Sequence, residues 1–192
     1  MRRLVVSEFV TADGVMEGPG MDASAPRDGW AFQFNRGEDG DRFKLDELMA
    51  SDALLLGRVT YEGFAAAWPG RTDEQGFADR FNGMPKYVVS STLREPLEWN
   101  NSHLLNGDIV EEVRKLKQQD GGDIMVNGSA RLVQTLAAND LVDVYRLMVF
   151  PIILGAGKRL FADTPRAMPL RLVQAEPVGQ EGVLTVVYER AW

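Results

Sequence analysis

Three apolar runs in this chain stop abruptly at small or hydroxyl-bearing residues. The first, Leu54-Leu55-Leu56, reaches Gly57 and passes directly into Arg58-Val59-Thr60-Tyr61-Glu62. The other two are Tyr87-Val88-Val89 before Ser90-Ser91-Thr92, and Ile124-Met125-Val126 before Asn127-Gly128-Ser129-Ala130. Runs this short and this apolar read as strands buried on both faces. A glycine at the strand end lets backbone approach a ligand, and a helix starting there offers N–H groups with no intrahelical partner. Three such ends suit one extended, phosphate-bearing ligand such as a dinucleotide.

The intervening sequence supplies helices. Residues 3–10 read as an opening strand, and Thr11-Ala12-Asp13-Gly14 as a turn, because Asp-Gly combines a side-chain acceptor with a permissive φ. Residues 17–40 are rich in Gly, Pro and Asp and read as a long lid or binding loop. Trp30, Phe32 and Phe34 within it are pinned against the body or wall a planar ligand. A helix is predicted over 41–51 with Leu45, Leu48 and Met49 on one face. Phe43 then falls on the polar side with Asp46, Glu47 and Ala50, as a pocket wall or a subunit contact. Strand 52–56 leads to a helix in which Tyr61, Phe64, Ala65 and Trp68 recur at helical spacing, ended by Pro69. Phe77 and Phe81 anchor a short helix before Gly83. A strand follows at 86–90, and another lies within Trp99–Leu105. Asp108 is an N-cap with Glu111 completing a capping box, above a stripe of Ile109, Val113 and Leu116. Strand 123–127 precedes a helix lined by Leu132, Val133, Leu136 and Ala137, then strand 141–149. Segments 170–177 and 183–190 flank Gly179-Gln180-Glu181-Gly182 as an antiparallel hairpin.

Alternating strands and helices followed by a hairpin predict an α/β fold of three layers, α/β/α. The sheet is mixed but mostly parallel, with a C-terminal antiparallel hairpin. The 192 residues read as a single domain, 1–192, with no repeat or linker. The absence of cysteine removes disulfides, thiolate metal sites and cysteine nucleophiles, and the lone His103 cannot build a histidine-rich metal site. No metal is therefore expected. A net charge of −7 without a basic block argues against nucleic acid. No stretch is long and apolar enough to span a membrane and no signal peptide opens the chain, so the expected address is cytoplasmic.

In such a sheet ligands gather at the carboxyl ends of the parallel strands. Arg58 offers a fork of donors to a phosphate and Thr60 a hydroxyl. Ser90, Ser91 and Thr92 offer hydroxyls to a ribose phosphate. Gly128 permits close approach, and Ser129 with Ala130 exposes the first N–H groups of a helix. Each feature also has a plain structural use as a cap or turn. Neither Gly-x-Gly-x-x-Gly nor a P-loop is present.

These pieces resemble the dihydrofolate reductase-like superfamily, in the branch that includes the C-terminal reductase domain of the riboflavin-biosynthesis protein RibD. The resemblance is carried by Thr11-Ala12-Asp13-Gly14-Val15, Leu55-Leu56-Gly57-Arg58-Val59-Thr60-Tyr61 and Lys86-Tyr87-Val88-Val89-Ser90. It continues through Gly122-Asp123-Ile124-Met125-Val126-Asn127-Gly128-Ser129, Leu141-Val142-Asp143 and Pro151-Ile152-Ile153-Leu154-Gly155. It implies an eight-stranded sheet and NADPH held by Gly57, Arg58, Thr60, Ser90, Ser91, Gly128, Ser129 and Ala130. It also implies hydride transfer to a pterin-like, aminopyrimidine or ribosylamino substrate, and often a homodimer, with Phe43 and the hairpin as contacts. Asn127-Gly128 stands where the family often carries a glycine pair. Asp46 and Glu47 lie in the region of the family's helix carboxylate, or simply on a solvated face. Asp13, Glu17 and Asp46 are the candidate proton donors, beside ordered water. A non-catalytic NADPH-binding module or sensor is the alternative to a reductase.

Overall fold

The computed structural model describes residues 1–20, 28–164 and 166–191. One eight-stranded sheet runs through it. Its strands are β1 (Leu4–Thr11), β2 (Ser51–Gly57), β3 (Lys86–Val89), β4 (Ser102–Leu105), β5 (Asp123–Val126), β6 (Val144–Phe150), β7 (Leu170–Val178) and β8 (Val183–Arg190). Their order across the sheet is β4-β3-β2-β5-β1-β6-β8-β7. From β4 to β6 every neighbouring pair is parallel, whereas β8 runs antiparallel to both β6 and β7. The mixed sheet and its closing hairpin agree with the expectation from sequence.

The helices are α1 (Gly37–Ala50), α2 (Arg58–Ala67), α3 (Phe77–Gly83), α4 (Ile109–Gln118) and α5 (Ala130–Ala138). One face of the sheet packs Leu4, Val6, Leu55 and Val126 against Val113 and Leu116 of α4 and Leu132, Val133 and Leu136 of α5. The other face packs Leu54, Leu56 and Met125 against Leu48 of α1, Tyr61 of α2 and Phe81 of α3. Its β6–β8 side meets Phe43 of α1 and Trp30. Strand residues therefore alternate between two apolar layers, and burying both faces explains the continuous apolar runs.

Two local expectations are revised. The first helix starts at Gly37, four residues before the predicted 41, so Gly37-Glu38-Asp39-Gly40 is its first turn and not loop. Glu38 and Asp39 favour the positive end of the helix dipole. A side chain at Gly40 would meet the Arg36 Cβ at 2.8 Å, so the missing side chain makes room for a neighbour. The buried face of this helix also differs. Phe43, Glu47 and Leu48 point inward while Met49 is 46% exposed. Phe43 is thus a core residue rather than one on the polar face, with the Arg146 guanidinium 4.3 Å from its ring centroid. Periodicity misplaced the stripe because the inward carboxylate of Glu47 counts as polar, although it is neutralised inside.

Asp108 caps α4 as expected, accepting from the N–H groups of Val110 and Glu111 at 3.0 and 3.2 Å. Glu111 does not complete the box; it pairs with Arg114 at 2.5 Å. Trp30 is buried and Phe34 packs on the same cluster, whereas Phe32 is 68% exposed. The predicted lid falls partly on residues 21–27, which lie outside the described residues.

Candidate functional site

The turns after β2 and β5 meet at the carboxyl rim of the sheet. Gly57 donates its N–H to the Gly128 carbonyl at 3.2 Å. A Cβ on Gly57 would lie 2.5 Å from the Ser129 Oγ and 3.0 Å from its backbone nitrogen. Gly128 has φ +63°, and a Cβ there would lie 2.7 Å from the Thr60 Oγ1. Gly57 is therefore required by space, and Gly128 by its left-handed conformation. The Gly128–Ser129 peptide is cis. Gly57, Thr60, Gly128 and Ser129 thus form one cradle, with the first turns of α2 and α5 opening beside it. Ala130 is buried under it.

The other predicted binding residues sit as follows. Arg58 is exposed at the start of α2 and pairs with Glu62 one turn on, at 3.0 Å. The Ser90 Oγ accepts from the N–H groups of Thr92 and Leu93 at 3.1 and 3.0 Å, so it closes its own turn. Ser91 and Thr92 follow β3, and β3 is separated from β5 by β2.

The candidate acids separate sharply. Asp13 is a clasp: its carboxylate accepts from Thr11 Oγ1 at 2.5 Å, Gly155 N at 2.9 Å and Leu154 N at 3.3 Å. These bonds, the Thr11 hydroxyl foremost, pull its pKa down to about 2. It ties the turn after β1 to the loop after β6. Glu17 holds the same loop through Lys158, at 2.5 Å to the ammonium and 3.2 Å to the backbone N–H. Asp46 lies on α1 and is exposed, beside the buried Phe43 and Glu47. The structure does not bring these three carboxylates together.

Against known families, the model of the RibD C-terminal domain matches residues 2–184. The chain belongs to the RibD C-terminal domain family. Relatives of this RibD C-terminal domain include YyaP of Bacillus subtilis, 32% identical over 97% of this chain and 94% of that protein. YwjB of the same organism is 28% identical over 93% and 94%. Both are uncharacterized proteins. Among solved structures, a protein from Shewanella sp. PV-4 assigned to riboflavin biosynthesis superposes with a TM-score of 0.77 at 20% identity, over 99% of each chain. Dihydrofolate reductase from Enterococcus faecalis, complexed with NADP(H) and RAB-propyl, gives 0.64 at 16% identity, covering 99% of this chain and 97% of that one. A Thermotoga maritima diaminohydroxyphosphoribosylaminopyrimidine deaminase/5-amino-6-(5-phosphoribosylamino)uracil reductase gives 0.61 at 16% identity over 99% and 57%. The fold is dihydrofolate reductase-like.

In this RibD C-terminal domain the rim also holds Glu8, Ser7, Lys44 and Arg146, which sequence reading passed over, beside Glu47 and Asn127, which it named. Glu8 of β1 accepts the Gly128 N–H directly beneath the cradle. Burial pushes its carboxyl up to about 8, against the pull of that hydrogen bond and of Lys44, and with some help from the charge of Glu47. On the α1 side, Glu47 accepts from the Ser7 hydroxyl and pairs with both Lys44 and, at 3.1 Å, Arg146. Lys44 also donates to Ser7 Oγ at 2.5 Å. Asn127 Nδ2 donates to the Ser7 carbonyl at 2.9 Å. One signal was available: Ser7-Glu8 and Arg146 interrupt apolar runs of strands that lie in the middle of the sheet, where a polar residue needs a partner.

Proposed function

We propose that this protein is an NADPH-dependent reductase of a small, electron-poor heterocycle, of the pterin-like, aminopyrimidine or ribosylamino kind. The observation that carries the reading is the cradle. Two glycines at the ends of adjacent parallel strands spend their own N–H groups on the Gly128 carbonyl and on Glu8 and let the two turns pack together, so that two helix N-termini open side by side toward an anion. That arrangement fits a dinucleotide phosphate. Gly57, Gly128, Ser129 and Ala130 would hold the pyrophosphate. Arg58 and Thr60 would add a guanidinium fork and a hydroxyl, and Ser91 and Thr92 further hydroxyls, with Ser90 shaping their turn. The uncharacterized relatives leave the substrate open, while the fold is shared with a reductase complexed with NADP(H).

When bound, the reduced nicotinamide supplies a hydride to the substrate. The protein's task is to orient the reactants, exclude water and hold a proton. Glu8 keeps its proton at neutral pH, since its pKa lies at about 8. Asp13, at about 2, is a carboxylate there and serves as a loop clasp. Glu8 therefore stays neutral beneath the cradle, on the sheet face opposite the Ser7 side chain, where it holds the Gly128 turn in place. The resemblance also supports one domain over 1–192, a cytoplasmic address and a homodimer, for which the closing hairpin with exposed Leu172, Val173 and Leu184 is the candidate contact.

The test is a titration of NADPH and NADH while thermal unfolding is followed. At a hundredfold excess over Kd, binding adds about 2.7 kcal/mol of stability. A shift accompanied by oxidation of NADPH with pterins or aminopyrimidines supports the reductase. A shift with no turnover across that panel supports a binding module, and no shift with either nucleotide removes the cofactor reading.

A further inference from the structure

On the α1 side of the sheet, three adjacent strands set polar residues in a row. Ser7 of β1 is in register with Arg146 of β6. Val6 is in register with Val126 of β5, so Asn127 stands beside Ser7 on the opposite flank. The row toward the strand N-termini is apolar, formed by Met125, Val5 and Val144. Phe9 and Met148 continue the apolar surface on the other side. With strands about 4.8 Å apart, the polar row is roughly 10 Å long, the scale of one substituted ring with a hydrogen bond at each end.

Both ends of the row have bonding capacity left over. At one end Asn127 Oδ1 is buried and accepts no hydrogen bond among the described residues. At the other, Arg146 spends Nε on Glu47, and its two terminal nitrogens have no acceptor among the described residues. Its side chain is 25% exposed, and its guanidinium sits over the Phe43 ring. In the middle, Lys44 and Arg146 share the single carboxylate of Glu47. The triad therefore carries one net positive charge. A free carboxylate at this floor would select an amidine-like, donor-rich edge. Here the carboxylate is doubly occupied and Lys44 and Glu47 cover Ser7, so the row keeps spare donors at the partly exposed Arg146 end and one buried spare acceptor at the Asn127 end. A largely buried surplus cation is stabilised by an anion, and an orphaned amide oxygen by an N–H.

We infer that the substrate is a planar lactam ring bearing a carboxylate, its ring N–H on Asn127 Oδ1 and its carboxylate on the terminal nitrogens of Arg146. This rests on the reading of the rim as a reductase site and narrows its substrate class. Lys44, one turn of α1 before Glu47, reinforces the positive field. Arg146 and Asn127 are then the residues that set specificity.

The experiment is calorimetric titration of the full-length chain with matched pairs, orotate against uracil and pterin-6-carboxylate against pterin, with and without saturating NADPH. A charge-assisted hydrogen-bonded pair predicts that the carboxylated member of at least one pair binds about ten- to a hundredfold more tightly. Arg146→Gln abolishes that preference, Arg146→Lys retains part of it, and Asn127→Leu weakens both members of the pair alike. Circular dichroism checks that each variant is folded, and the wild-type comparison needs no variant at all. Equal affinity within each pair, survival of the preference in Arg146→Gln, or no heat from either carboxylated ligand overturns the inference. NADPH binding is followed separately through tryptophan fluorescence. Its absence beside an intact carboxylate preference would sink the reductase reading and leave the carboxylate assignment standing.

Discussion

Burial couples the ionisation of Glu8 to the stability of this fold. Its carboxyl is raised from the ordinary 4.5 to about 8. Below pH 4.5 both folded and unfolded chains carry the proton, so the fold has its full stability there with respect to this group. Between 4.5 and about 8 only the unfolded chain loses the proton, so stability declines as pH rises and levels off above 8. Glu8→Gln keeps an acceptor for Gly128 and removes the titration. Urea unfolding at about pH 5 and about pH 9 should show the wild type losing on the order of a few kcal/mol relative to this variant. Equal pH dependence in the two proteins would mean that Glu8 ionises like a solvated carboxyl. Arg58 makes a second prediction. Its pairing with Glu62 is an exposed contact between neighbouring turns, so little folding energy depends on it. Arg58→Ala should leave the melting temperature within about 1–2 °C. It should weaken NADPH about tenfold while sparing NADH if the guanidinium reads the 2′-phosphate, and weaken both equally if it reads the pyrophosphate. Individual residues were unevenly legible. Gly57 and Gly128 drew attention as glycines at the ends of apolar runs, although a plain turn or cap would read the same way. Glu47 stayed open between the family's helix carboxylate and a solvated face, because nothing nearby in the chain signals that Arg146 will meet it.

At the scale of elements, the β2–α2 and β5–α5 turns form one unit, and two glycine substitutions separate its parts. Gly57→Ala forces a Cβ against the Ser129 backbone at 3.0 Å, and this atom cannot rotate away. The variant should lose about 1–3 kcal/mol and most of its NADPH affinity, read by thermal melts with and without nucleotide. Gly63, in the exposed middle of α2, has no atom within 4 Å of the place a Cβ would take. Gly63→Ala should therefore stabilise the protein by about 0.5–1 kcal/mol and leave nucleotide binding alone. If both substitutions behaved alike, the crowding at Gly57 would have no consequence. Element positions were read well wherever the pattern was local: the α4 cap, the stripe of α5 and the hairpin all fall where expected. The start of α1 was missed because two glycines in its first turn mimic a loop.

Across the whole molecule one edge of the sheet is β7, with Leu172 and Val173 about half exposed. An uncovered apolar edge of this kind is a candidate surface for a second copy. Light scattering behind a sizing column should find a dimer, and Leu172→Glu should convert it to a monomer with unchanged circular dichroism. A wild-type monomer at all accessible concentrations would rule this contact out. By itself the sequence determined the fold class, the element order and the glycine stops at the strand ends, because each is read from near neighbours in the chain: a run and its stop, a cap and its helix. Only the tertiary structure decided which polar groups meet. Asn127 reaches Ser7 across 120 positions, and Arg146 reaches Glu47 across 99. Their meeting depends on β5, β1 and β6 lying side by side, an order fixed by long-range packing of the two apolar layers that no local pattern of residues encodes.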